Sequence, residues 1–84
     1  MTPDLVRRWI KEYLRRQPSF RRRDTEIADD ANLVETGLLD SLGFVALIVA
    51  IEANYGLSLD LVNLPPEALV RLDLLADIVA RALG

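Results

Sequence analysis

The segment from Ser41 to Tyr55 constrains the fold more than any other, because nearly all of its side chains are apolar and Glu52 is its only charged residue. Apolar residues spaced three and four apart predict a helix, and Gly56 is the residue type that most often ends one. The bulkier side chains share one stripe, which we expect to face the core: Phe44, Leu47, Ile48, Ile51 and Tyr55. The other stripe should be partly exposed, which usually marks an interaction site: Leu42, Val45, Ala46, Val49 and Ala53.

The rest of the chain predicts three further helices. Thr2 as N-cap and Pro3 as the first helical residue begin a helix that ends near Arg16. Its apolar face should be buried: Leu5, Val6, Trp9, Ile10, Tyr13 and Leu14. Pro65–Val70 is typical of a short helix, and a final helical face follows: Leu72, Leu75, Ile78, Val79, Ala82 and Leu83. We therefore expect an all-α domain over residues 1–84, a bundle of three longer helices and a short third one, with a core that includes Trp9, Phe44, Leu47, Ile51 and Leu75.

A long loop is predicted between the first two helices, because no helical period holds from Gln17 to Asp40. A loop of this length in a small domain is usually functional or disordered unless its own apolar residues hold it. Four such residues are expected to hold it across the bundle: Ile27, Leu33, Leu38 and Leu39. Residues 56–64 also read as a loop, because a strand there would have no partner strand.

Composition excludes several kinds of enzyme. The chain has neither cysteine nor histidine, which removes thiolate nucleophiles, the usual zinc ligands and histidine general bases. No apolar run reaches the roughly 18 residues needed to span a bilayer, and the first residues do not resemble a signal peptide. We therefore expect a cytoplasmic protein that has no metal site, is not a membrane protein and is not an enzyme.

Ser41 stands where the long loop ends and the apolar helix begins. The free N–H groups of a first helical turn and the positive end of the helix dipole favour a phosphate attached to a side-chain oxygen at this position. Ser41 is therefore the candidate attachment point. The alternative is that Ser41 or Asp40 only caps the helix, and capping and attachment are compatible.

The segment Glu35–Gly43, which reads ETGLLDSLG, resembles the signature of the acyl carrier protein family, and the order of helices resembles the family's fold over essentially the whole chain. The resemblance implies that Ser41 carries a 4'-phosphopantetheine arm, that Asp40 is its preceding acid, and that the second helix is the surface read by partners. It also implies three kinds of partner: a phosphopantetheinyl transferase that delivers the arm from coenzyme A, an acyl-loading ligase or acyltransferase, and downstream biosynthetic enzymes. We expect these partners to contact the exposed stripe beside the serine at Leu42, Val45, Ala46 and Val49.

Two differences from well-known carriers indicate which type of carrier this chain resembles. Fatty-acid carriers usually have several acids on this helix, whereas here Glu52 is the only one. Peptide-synthetase carriers usually have two glycines and a polar residue or histidine before the serine, whereas this chain has Leu38, Leu39 and Asp40. The string resembles stand-alone carriers of specialised biosynthetic pathways, including those loaded by adenylate-forming ligases. This favours an acyl or aminoacyl cargo held as a thioester.

The charge distribution leaves other interpretations open. Residues 1–23 hold eight basic and two acidic residues, a charge of +6, and residues 24–84 hold two basic and eleven acidic residues, a charge of −9, which together give −3. The arginines at 15, 16 and 21–23 could indicate nucleic-acid binding, but the acidic remainder would repel a polyanion. We expect a monomer with no nucleic-acid partner. The alternative function is an unmodified helical adaptor with a carrier-like fold.

Overall fold

A computed structural model describes residues 2–17, 27–35, 39–60, 63 and 66–84. It contains four helices: α1 (Pro3–Arg16), α2 (Ser41–Tyr55), α3 (Pro66–Val70) and α4 (Leu72–Leu83). The described residues form no strand, only an isolated antiparallel bridge between Asn32 and Arg71. α1 packs against α4, and so does α3. The predicted all-α bundle is confirmed. The predicted third helix also included Pro65, which lies outside the described residues.

Local signals explain the ends of α1. Thr2 is the N-cap, and its side-chain oxygen accepts a hydrogen bond from the N–H of Leu5 at 3.4 Å, while Pro3 occupies the first helical position. Asp4 lies in the first turn, and the last turn is basic. Both placements complement the helix dipole, so the predicted bounds of α1 are confirmed.

The core is formed by apolar residues from all four helices and from the segments between them. Its largest fully buried side chains are Val6, Ile10, Leu14, Leu33, Leu47, Ile51, Leu72, Leu75 and Val79. The long loop is held as expected by Ile27, Leu33 and Leu39, which are all buried, whereas Leu38 lies outside the described residues. A loop anchored in this way delivers the chain to the start of α2 from a defined direction.

Several residues of the predicted buried faces are less buried than predicted, including Tyr13 and Tyr55. Trp9 and Phe44 are only partly buried and pack against the core from outside, and Leu5 is 48% exposed. Leu5 and Trp9 lie to one side of the buried stripe of α1, whereas Phe44 lies within the buried stripe of α2 but in the first turn of the helix. Trp9 instead stacks on Tyr13, with ring centroids 5.6 Å apart, and meets Tyr55 edge-on at 5.7 Å. This cluster joins α1 to the end of α2, and partial burial raises the pKa of Tyr55.

Truncating Ile51 to alanine should destabilise the fold, because its side chain is fully buried in α2. The expected loss in free energy of unfolding is about 2 to 5 kcal/mol, measured by urea denaturation with the fluorescence of Trp9. Val49→Ala is the matched control on the exposed side of the same helix and should change stability by less than about 0.5 kcal/mol. Equal losses in the two variants would contradict the burial of one stripe and the exposure of the other.

Candidate functional site

The site is the first turn of α2. Asp40 is the N-cap, and its Oδ1 accepts a hydrogen bond from the N–H of Gly43 at 2.6 Å. The carbonyl oxygen of Asp40 accepts the N–H of Phe44 at 2.8 Å, which begins the helical ladder. Asp40, and not Ser41, therefore makes the capping bond. Ser41 is the first helical residue and is exposed.

This geometry suits a phosphate ester on Ser41. The first turn contains no acidic side chain, and the carboxylate of the N-cap Asp40 is bonded to the N–H of Gly43. The positive end of the α2 dipole and the first-turn N–H groups favour an anion there. Since Asp40 makes the cap, modification of the Ser41 hydroxyl would not remove that bond. The residues present thus fit a covalently attached phosphate group.

Gly43 makes room for the cap. A Cβ at this position would lie 3.0 Å from Oδ1 of Asp40 and 3.3 Å from Cδ2 of Leu39. The first distance is tighter than normal packing, so a side chain here would push against the capping carboxylate. Glycine is otherwise unfavourable within a helix. Sequence reasoning missed this role, because it depends on the contact between two side chains and not on a pattern.

Replacing Gly43 with alanine should give no stability gain while Asp40 is present, because the gain in helix propensity of about 1 kcal/mol is opposed by crowding of the cap. Asp40→Ala alone should cost about 1 kcal/mol. In the double variant the alanine at 43 should become stabilising, with a coupling of about 0.5 to 1 kcal/mol in a double-mutant cycle. The check is chemical denaturation of all four proteins. Purely additive effects would mean that Gly43 does not serve the cap.

The outward face of α2 is apolar. Leu42, Val45 and Val49 are 81%, 57% and 58% exposed. Together with exposed Ala46 they form what we call the apolar strip, defined as Leu42, Val45, Ala46 and Val49. The buried side is formed by Leu47, Ile48 and Ile51, with Phe44 and Tyr55 partly buried. The predicted assignment of the two stripes is confirmed, and the apolar strip begins at the residue after Ser41.

Glu52, the only charged residue of α2, serves the following loop. Its Oε2 accepts a hydrogen bond from the N–H of Leu59 at 2.8 Å, and its carbonyl oxygen accepts the N–H of Leu57 at 3.2 Å. Gly56 between them adopts a left-handed conformation with φ 66°, which glycine tolerates at a helix end. The carboxylate of Glu52 is therefore bonded to the segment that follows α2, and it is the only charge that this helix carries.

The basic side of α1 is formed by Arg7, Arg8 and Lys11. Part of its positive charge is neutralised by acidic residues of the same chain. Arg7 forms an ion pair with Asp4, and Nζ of Lys11 lies 2.6 Å from Oδ1 of Asp29. The hydrogen bond from Lys11, reinforced by its charge, lowers the pKa of the Asp29 carboxyl. Two of the cations on this face thus already have acidic partners. The arginines at 21–23, which suggested nucleic-acid binding, lie outside the described residues.

No group of three or more metal-binding side chains comes together within the described parts of the chain. Among the same residues, no helix has both the length and the apolar character needed to cross a membrane. The exposed features of interest that remain are the first turn of α2, the apolar strip and the basic side of α1.

Comparison with protein families shows which family this chain belongs to. Residues 8–81 match the family described as "Phosphopantetheine attachment site". This chain belongs to that family. The resemblance to acyl carrier proteins is thereby confirmed, and the domain is one to which 4'-phosphopantetheine is covalently attached. Carrier domains of this family are typically non-catalytic and work with a phosphopantetheinyl transferase and partner enzymes. Neither the curated proteins nor the solved structures gave a match.

The family match covers a range of residues and does not identify the modified one. The attachment at Ser41, the accompanying role of Asp40 and the use of the apolar strip by partners therefore stay predictions. The structure brings these residues together at the start of α2.

Proposed function

We propose that this carrier domain, residues 1–84, bears its arm on Ser41 and holds an acyl or aminoacyl intermediate for the enzymes of a specialised biosynthetic pathway. The carrying observation is the position of Ser41, which is exposed at the first residue of a long helix whose cap is made by Asp40. The chain has two other serines, Ser19 and Ser58. Ser58 lies in the loop after α2 and Ser19 lies outside the described residues.

The arm supplies a terminal thiol that holds the cargo as a thioester, and tethering gives the cargo a high effective concentration at any enzyme that binds the carrier. The chain's own contribution is positioning. Asp40 holds the first turn of α2 in shape, and the dipole favours the phosphodiester at Ser41. In the attachment step, Oγ of Ser41 forms a bond to phosphorus as the bond from phosphorus to the adenosine bisphosphate leaving group breaks. The Oγ proton passes to a base, and since the chain has no histidine, we propose that the transferase provides that base.

We further propose that partners bind through the apolar strip. An enzyme that acts at or near Ser41 must approach the first turns of α2, where Leu42 and Val45 are exposed. Burial of apolar surface contributes about 25 cal/mol per Å², whereas an exposed ion pair contributes about 0 to 1 kcal/mol. Since Glu52 is engaged with Leu59, α2 offers area and little charge. A loading ligase or acyltransferase that fits this carrier should therefore present an apolar patch.

The proposed attachment is tested by intact-protein mass spectrometry. After incubation with coenzyme A and a broad-specificity phosphopantetheinyl transferase, the native chain should gain one phosphopantetheine. A chain that stays unmodified with several transferases would contradict the proposal and favour the unmodified helical adaptor instead.

A further inference from the structure

The segment that leads to Ser41 is fixed to the junction between α3 and α4. The N–H of Leu33 donates to the carbonyl oxygen of Val70 at 2.7 Å, and the N–H of Leu72 donates to the carbonyl oxygen of Ala31 at 3.0 Å. This reciprocal pair flanks the antiparallel bridge between residues 32 and 71. Val70 ends α3 and Leu72 begins α4, so the loop is anchored where two helices meet.

Leu33 also holds the residue that lies two positions before Ser41. Its carbonyl oxygen accepts the N–H of Leu39 at 2.8 Å. The side chains of Leu33 and Leu39 are both buried, at 0% and 7% exposure. Leu33 is therefore bonded to the α3–α4 junction through its N–H and to the start of α2 through its carbonyl group. Two hydrogen bonds thus connect Val70 to Leu33 and Leu33 to Leu39. The peptide bond that follows Leu39 completes this path to the N-cap Asp40.

Asn32 closes the turn that begins beside Leu33. Its Oδ1 accepts hydrogen bonds from the N–H of Val34 at 3.0 Å and from the N–H of Glu35 at 2.8 Å. A side-chain oxygen that bonds backbone N–H groups two and three residues ahead stabilises a turn. This turn directly follows the contact between Leu33 and Val70. The turn that Asn32 closes therefore contains Leu33, the residue at the centre of the path.

We propose that Asn32 is a positioning residue for modification at Ser41: its side chain fixes the turn through which Leu33 joins the α3–α4 junction to Leu39. The inference rests on the proposed function, because it concerns how Ser41 is presented to the transferase. Without the turn, the Leu39–Asp40 segment samples more orientations, and fewer molecules present Ser41 correctly. The apparent affinity of a partner falls by that fraction. The net contribution of one hydrogen bond corresponds to about a factor of five in an equilibrium constant.

The test compares Asn32→Ala with two other variants. Asn32→Asp keeps an oxygen acceptor at the same position. Asn63→Ala is a control that removes a loop asparagine bonded to Asp60. With coenzyme A and a broad-specificity transferase, Asn32→Ala should raise KM for the carrier about five- to twentyfold with kcat unchanged. Asn32→Asp should restore most of the affinity, and Asn63→Ala should behave as the native chain. Assays are run well below each melting temperature, so a loss of global stability alone would not move KM.

Amide hydrogen exchange supplies a readout that does not depend on the reaction. The Leu39 N–H should be protected in the native chain and in Asn32→Asp, and should exchange faster in Asn32→Ala while α1 and α4 amides keep their protection. An unchanged KM in Asn32→Ala, or equal impairment by the alanine and aspartate variants, would overturn this inference. The proposed function would stand in either case. A native Leu39 N–H that exchanges like an exposed loop amide would overturn the inference even if Asn32→Ala does not fold. A native chain that accepts no arm would overturn the proposed function, and this inference with it.

Discussion

Replacing Ser41 with alanine should abolish phosphopantetheine attachment completely while leaving the fold intact. Attachment requires an oxygen nucleophile at the first turn of α2, and the substitution removes the only side-chain oxygen that Ser41 offers. Stability should change by less than about 1 kcal/mol, because the capping bond is made by Asp40. Intact-mass measurement after reaction with coenzyme A and transferase reports the first effect, and thermal or chemical denaturation reports the second.

Ser58→Ala is the matched control, since Ser58 is also exposed and lies just after the other end of α2. It should accept the arm at the native rate. If Ser41→Ala still gained the added mass, the attachment residue would lie elsewhere. If Ser58→Ala lost it, the loop after α2 would be the better candidate.

Placing a charge in the apolar strip by Val45→Asp should abolish loading of the arm-bearing carrier by its ligase. Val45 is 57% exposed, so the free protein should tolerate the carboxylate. In a dry interface the same carboxylate would be buried without a partner, which costs far more than its hydration in water. Loading is measured as the mass gained by the carrier, and circular dichroism checks that the helices persist.

Asn54→Asp is the control, because it adds the same charge at an exposed position of α2 outside the strip. It should load nearly as the native chain does. Raising salt should weaken native loading only slightly, since screening acts on charges and not on apolar contacts. A steep loss with salt, together with full loading of Val45→Asp, would move the interface to the basic side of α1, formed by Arg7, Arg8 and Lys11.

Features that depend on neighbours along the chain were predictable. The bounds of α1 and α2 follow from Thr2, Pro3 and Gly56, whose preferences are set by local backbone geometry. The two stripes of α2 follow from helical periodicity, and the greater bulk of one stripe indicated which one is buried. Periodicity gives the direction in which a side chain points but not how deeply its neighbours cover it. For this reason Trp9 and Phe44, which were predicted to lie in the core, are only partly buried and pack against it.

Features that depend on contacts between distant segments were not predictable. The sequence could not decide between Asp40 and Ser41 as the cap, because both residue types cap helices well. The bond from Leu59 to Glu52 and the tie between Leu33 and Val70 require the folded arrangement. The role of Gly43 likewise depends on the folded arrangement, because the Asp40 carboxylate occupies the space where a Cβ would lie.

The commitment of the Glu52 carboxylate to the Leu59 N–H also affects how quickly this carrier can find its partners. Long-range attraction between opposite charges raises association rates well above the roughly 10⁵ to 10⁶ M⁻¹s⁻¹ of unsteered encounters. An α2 whose single carboxylate lies near its C-terminal end, away from Ser41, gives little such acceleration. The carrier would have to distinguish its partners after contact, through the lifetime of each complex. The selectivity of this carrier among competing enzymes would then depend on differences in their dissociation rates.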